Sequence, residues 1–208
     1  MKDNVGFVKR ALAYFLDMLI VGFISGILYF GVDAIFKFDT SITETYNEKT
    51  TELAEKLTET QITEEEYIEG FMDLSTKYYQ GMAEESVPYG LIEFIVMIAY
   101  MVGLAYYSNG QTIGKKTFNI KVVDKKGKTP SLNTFFVRSL INYSLYVSMV
   151  ELILVFILNK GFFELSIIVE GISIVTTLLS VIMIVFNDDK RGIHDHISGT
   201  KVVNDYDE

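Results

Sequence analysis

Hydrophobic and polar positions along this chain fall into long blocks. The first apolar block is opened by Lys9 and Arg10 and runs to Phe36, and from Ala11 onward only Asp17 and Asp33 are ionisable. About 26 residues at roughly 1.5 Å each cross a hydrocarbon core of about 30 Å with some tilt, so the block predicts a membrane-spanning helix. A second span is expected to start at Ser86 and Pro88 and to run through Tyr107 to a stop at Asn109-Gly110. Its residues Glu93, Met97, Tyr100, Leu104 and Tyr107 share one face. A third runs from about Phe135 to Leu158 and carries Arg138, Asn142 and Glu151. After a turn at Asn159 to Gly161, a fourth runs from about Leu165 to Phe186, where Glu170, Ser173, Thr177 and Ser180 form one polar stripe.

The blocks between the spans differ in charge. Residues 37–87 hold thirteen of the 27 acidic residues against four lysines. Ser41 with Glu44 and Thr63 with Glu66 have capping-box spacing. Each pair precedes apolar positions of helical period: Ile42, Tyr46, Leu53 and Leu57 after the first, Tyr67, Phe71, Leu74 and Tyr78 after the second. An acidic helical hairpin follows, either a solvated insertion or a docking surface for a partner. Residues 108–134 carry six lysines and one acid, with a strand at Phe118 to Val123 and a turn at Asp124 to Lys128. A second strand-like piece, Thr200 to Val203, lies in the tail. Lysine and arginine crowd the N-terminus, the 108–134 loop and the tail, so the positive-inside rule puts both termini in the cytoplasm. The hairpin then faces outward, and the two strand-like pieces share the inner side, where they can pair.

Composition narrows the class. A mean hydropathy of +0.28 averages strongly apolar and strongly polar blocks, as in a membrane domain with a polar insertion. A formal charge of -9 argues against nucleic acid, and the absence of cysteine excludes disulfides and thiolate metal sites. The first block is too long for a signal-peptide core and carries Asp17, so an uncleaved helix is expected.

Charged groups inside apolar blocks carry the candidate chemistry. Arg10, Asp17 and Arg138 belong to the cytoplasmic half, where opposite charges can pair either as a structural clamp or as a transport step. Asp33, Glu93, Glu151 and Glu170 lie towards the outer half. No lysine or arginine sits inside the helices there, Lys37 and Lys160 being at the rim. Such carboxylates take up protons, hold a cation, or are simply wet near a span boundary. Gly22 and Gly26 form a small-residue patch roughly opposite Asp17, suited to close helix packing. His194-Asp195-His196 lacks a third ligand of fixed spacing, so no metal is expected there; Asp195 is expected to cap or bond the turn into Ser198-Gly199-Thr200 and to hold the tail against the lysine-rich loop or Arg10. Gly110 to Lys116 lacks the spacing of a phosphate-binding loop, and its lysines suit anionic lipid headgroups.

Three blocks together resemble the RDD family of small integral membrane proteins, named for one arginine and two aspartates. They are Arg10 with Asp17; Gly110-Gln111-Thr112-Ile113-Gly114-Lys115 with Lys121-Val122-Val123-Asp124; and Arg191-Gly192-Ile193-His194-Asp195 with Gly199-Thr200-Lys201-Val202-Val203. The resemblance implies that Asp195 is the second aspartate. It also implies one membrane domain over residues 1–208, with residues 37–87 inserted beyond the shortest family members. For function it implies transport of small ligands or ions, or action through another membrane protein.

The expectation is an all-α protein of the plasma membrane: four transmembrane helices, an extracytoplasmic helical hairpin and a small cytoplasmic β element. No enzymatic activity and no cofactor are expected. Three readings stand. In the first, a transporter-like or antiporter-like component binds a proton or small cation at Asp17 and the outer acids. In the second, a membrane-held regulator engages a partner through the hairpin. In the third, the Gly22 and Gly26 face drives homo-oligomers.

Overall fold

The computed structural model describes residues 4–35, 39–157 and 162–205. These are mostly helical with one two-stranded sheet. The first helix, α1 (Phe7–Ile35), buries Ala13, Asp17, Val21, Ser25 and Val32 on one stripe, while Phe15, Phe23 and Phe30 are more than half exposed. Polar groups inside and large apolar groups outside invert the pattern of a water-soluble helix and suit a lipid surround. A Cβ added at Gly22 or Gly26 would meet nothing within 4 Å, so that face of α1 is open in the single chain.

The expected hairpin forms from α2 (Ser41–Thr58) and the start of α3 (Glu64–Ile98). The Tyr46 and Tyr78 rings stack at 4.4 Å, and Leu53 lies where a Cβ at Gly70 would come within 3.2 Å. Thr63 and Glu66 make the full capping box. The Ser41–Glu44 box does not form. Thr40 is the N-cap and makes no side-chain cap, and the Ser41 N–H instead donates to Asp39.

Two span boundaries depart from the sequence expectation. No new helix begins at Pro88: α3 passes through it, continues as a π-helical turn (Ala99–Leu104) and ends in a last turn, α4 (Ala105–Tyr107). The unbroken stretch Glu64–Tyr107 is 44 residues, about 66 Å of helix. Pro88 removes a single backbone donor, beside the exposed Glu84, and no left-handed or turn residue follows to redirect the chain. The third span is broken into α6 (Leu132–Asn142) and α7 (Leu145–Ile157), bent by 77° at Tyr143 and Ser144. Ser144 has φ of 51°, and its hydroxyl meets Ser173 on α8 (Phe162–Phe186) at 2.7 Å, which fixes the corner. The turn expected at Asn159 to Gly161, the ends of the first and third spans at Phe36 and Leu158, and the rim residues Lys37 and Lys160 lie outside the described residues.

Among the described residues, three helices are therefore long and apolar enough to cross a membrane, or four if the bent pair is one span. At one end, β1 (Ile120–Asp124) pairs antiparallel with β2 (Thr200–Asn204), with Val122 opposite Val202. Each strand follows a one-turn helix, α5 (Ile113–Thr117) and α9 (Ile193–Ile197) respectively. Val5, Ala13, Val102, Ile120, Val122, Phe135 and Val202 pack into a core that joins this sheet to α1 and α6.

Gly110, at the exit from α4, has φ of +94°, and an added Cβ would lie 2.2 Å from the Val122 carbonyl oxygen. The Val122 N–H donates to Gly110 at 2.9 Å, so neither backbone can retreat freely. Gly110→Ala is expected to cost at least about 1–3 kcal/mol, read as a lower unfolding midpoint in detergent. A wild-type midpoint would show that α4 and β1 are not locked together in this way.

Candidate functional site

Two segments eighty residues apart repeat one local design. Ile113 to Asp124 and Ile193 to Asn204 each make one helical turn, pass a residue of positive φ (Asn119, Gly199), and enter a strand containing Lys-Val-Val. The two strands have the same buried-and-exposed pattern. Equivalent positions in the two short helices hold Lys115 and Asp195, a cation and an anion. α1 supplies the complement to each, with Arg10 at Asp195 and Asp17 at Lys115.

Around Asp195 the carboxylate is fully buried. One oxygen accepts from Arg10 Nη1 at 2.6 Å and from the Gly192 N–H at 3.1 Å, while the other accepts from Arg138 Nη1. Arg138 also donates to the Thr200 hydroxyl at 2.7 Å. Arg10 is held further by the carbonyls of Val5 and Lys190, and Arg191 donates to those of Thr200 and Asp195. Burial alone pushes the Asp195 carboxyl up, but Arg138 and Arg10 beside it outweigh burial and hold it well below the usual range. Burial, reinforced by Arg138, lowers His194 from about 6.5 to about 3, so its ring is neutral at pH 7 and shares a hydrogen bond with Ser180 at 3.0 Å.

The second centre is Asp17, also fully buried. It accepts from the Tyr100 hydroxyl and the Gly114 N–H, both at 2.8 Å, and from Thr112 at 2.5 Å. Lys115 Nζ lies 3.6 Å away and donates to Thr112 and Tyr143. Tyr100 reaches Asp17 from the π-helical turn, a form that often re-aims side chains at functional positions. Among the described residues, every hydrogen-bond and ion-pair partner of the Asp17 carboxylate is a donor or cation, which suits a fixed carboxylate better than a cation site.

These contacts correct the expected grouping. Arg10 and Arg138 share Asp195, not Asp17, because seven residues along a helix separate Arg10 from Asp17 by about 10.5 Å. Asp195 belongs to α9 and clamps the tail to α1 and α6. Sequence reasoning missed Lys115, Thr112 and His194 as buried partners, whereas Tyr100 lies on the face of the second span expected to be polar and aromatic and Thr200 in the turn expected to meet Asp195. The recurring Lys-Val-Val at Lys121 and Lys201 was the signal that would have aligned Lys115 with Asp195.

The outer acids form two groups. Asp33 accepts from Tyr89 and Glu93 from Tyr29, with the two rings edge to face at 5.2 Å. Half-buried Glu151 on α7 lies within electrostatic reach of Glu170 on α8. None of the four lines the cavity of about 630 Å³ that opens between α1, α6 and α8. That cavity is lined instead by Arg10, Lys115, Arg138 and His194 at its base, with Asn142 and Tyr143 beside them.

A model of the RDD family matches residues 5–199. The chain is 28% identical over 204 residues to the uncharacterized protein YxaI of Bacillus subtilis (strain 168), covering 98% of this chain and 99% of that protein. It is 29% identical over 108 residues to the uncharacterized protein YckC of the same organism, covering 52% of this chain and 56% of that one. No solved structure matches the chain.

Asp195→Asn leaves two buried guanidinium groups without their shared anion. A loss of about 3–5 kcal/mol in unfolding free energy in detergent is expected, and a change under about 1 kcal/mol would contradict the clamp. The His194 pKa is lower folded than unfolded, so the unfolded chain binds the extra proton first. Its contribution is full above about 6.5 and is lost as pH falls towards about 3. His194→Gln is expected to flatten the pH dependence of stability between those values, and an unchanged slope would count against a buried neutral imidazole.

Proposed function

The chain belongs to the RDD family of membrane proteins, and from that premise we propose that it is a non-enzymatic, four-span protein of the plasma membrane. Both termini are cytoplasmic, the bent α6–α7 pair is the third span, and the protein acts as a membrane-held regulator. Charge supports the orientation, since the sheet end carries the lysine-rich loop with Lys190, Arg191 and Lys201, and the hairpin end is acidic.

One observation carries the regulatory reading. A single helix runs from the hairpin at Glu64 to the π-helical turn whose Tyr100 donates to Asp17. A partner membrane protein or enzyme that tilts or turns the hairpin moves a rigid rod whose far end touches the buried centre, with no loop between to absorb the motion. Exposed Ile68, Met72 and Tyr79 on that rod give such a partner apolar contacts beside the acidic ones.

A second reading has its own support. Glu151 and Glu170 lie within electrostatic reach of each other on two strongly apolar helices, an arrangement suited to sharing a proton or small cation in a transporter-like or antiporter-like component. The open Gly22 and Gly26 face suits a second copy of the chain.

The cysteine-free chain makes single-cysteine labelling clean. Glu55→Cys is expected to react with an impermeant maleimide from outside intact cells, and Lys126→Cys only after permeabilisation; labelling of both from one side contradicts the topology. Deleting residues 41–85 is expected to change the modification rate of a Thr177→Cys variant at the cavity several-fold, and an unchanged rate contradicts coupling along α3. Proton-coupled cation flux in proteoliposomes that survives the deletion and is abolished by Glu151→Gln establishes the second reading instead.

A further inference from the structure

The cavity beside the two charged centres has an unequal lining. Arg10, Lys115 and Arg138 all reach it, but their counterions Asp17 and Asp195 do not, since both carboxylates are fully buried behind the cations. The carboxylates that pair with these three cations lie outside the lining, so the surface that faces the cavity is positive. Arg138 has the free donors. Its side chain is 6% exposed, and among the described residues only Nη1 is engaged, leaving Nε and Nη2 without an acceptor. Arg10, by contrast, uses all three of its nitrogens. Two free guanidinium nitrogens facing a cavity suit a bidentate anion.

The rest of the cavity is apolar. Leu12 and Phe15 of α1 and Val181 of α8 form its walls, and Leu12 and Phe15 are 46% and 62% exposed, so the walls run out onto the helix faces read as lipid-facing. The volume of about 630 Å³ falls within the roughly 300–1,000 Å³ of small-ligand sites. A soluble anion would satisfy the base and leave the walls empty. A neutral lipid would fill the walls and leave Nε and Nη2 of Arg138 without an acceptor.

We propose that this cavity binds an anionic, phosphate-bearing amphiphile, with its phosphate on Arg138 and Lys115 and its acyl chain between α1 and α8. The proposal rests on the assignment of α1 and α8 to lipid and is independent of coupling through α3. An acyl chain enters sideways from the bilayer, and the phosphate stops where the cationic base closes the cavity near the sheet end.

The test is native mass spectrometry of delipidated full-length protein titrated with dimyristoyl phosphatidylglycerol, dimyristoyl phosphatidylcholine or inorganic phosphate. Phosphatidylglycerol is expected to bind about tenfold more tightly than phosphatidylcholine, the worth of one charge-assisted contact. Arg138→Gln should remove that preference. Because Arg138 also helps hold the fold, Thr177→Trp at the cavity mouth is the second variant: it should weaken phosphatidylglycerol binding about tenfold with the lipid-free melting midpoint unchanged. Leu178→Trp, on an exposed face outside the cavity, should leave binding as it is. Equal affinity for the two lipids overturns the proposal, as does binding insensitive to Thr177→Trp. Inorganic phosphate binding as tightly as phosphatidylglycerol overturns the amphiphile and leaves only an anion site. Any of these results, obtained with the expected Glu55→Cys and Lys126→Cys labelling, leaves the topology standing.

Discussion

Asp195 is one carboxylate shared by two arginines in a place that water does not reach. Each ion alone would cost several kcal/mol to bury, and a carboxylate with one arginine on each oxygen offsets much of that for all three. The residues come from distant parts of the chain: Arg10 from the first helix, Arg138 from the sixth, Asp195 from the short helix before the last strand. Lipid-facing helices gain no hydrophobic drive from meeting one another, so polar contacts at their ends decide which helices are neighbours. Asp195 fixes the tail against α1 and α6, and with it the β1–β2 sheet that closes that end.

The second centre repeats the logic with the signs exchanged. Lys115 occupies in α5 the place that Asp195 occupies in α9, and α1 answers with Asp17 instead of Arg10. Because Val122 and Val202 pair directly, the two short helices and their strands lie about a local two-fold relation, with α1 joining both halves. The space left between α1, α6 and α8 has its cations facing in and its anions behind, so the centres that hold the fold also set the charge of the cavity. Tyr100 ties the end of the long helical stretch Glu64–Tyr107 to the same place, so the hairpin and the buried centre lie on one continuous helical stretch.

Much of this was legible in the sequence where the physics is local. The apolar runs of α1 and α8, the Thr63–Glu66 capping box and the two strand-like pieces follow from composition and spacing over a few residues. What failed were inferences about breaks. Pro88 reads as a helix start, yet one missing donor does not end a helix that has nowhere else to go, and the bend came at Tyr143 and Ser144, where no proline marks it. Arg10 and Asp17 looked like partners because both belong to the cytoplasmic half of the first span. Their rise along the helix keeps them apart, and the true partners sit in segments more than eighty residues away, beyond any periodicity. Donors around Asp17 were missed because threonine and glycine at those places look ordinary until the fold brings them together.

The dependence of the fold on the Asp195 clamp is tested most directly by a double-mutant cycle on Arg10→Gln and Asp195→Asn, followed by equilibrium unfolding of the purified protein in detergent. Direct contact in a buried site predicts a coupling energy of about 2 kcal/mol or more. Additivity within about 0.5 kcal/mol would mean that the two groups do not meet in the folded protein, and the architecture built on their contact would be wrong.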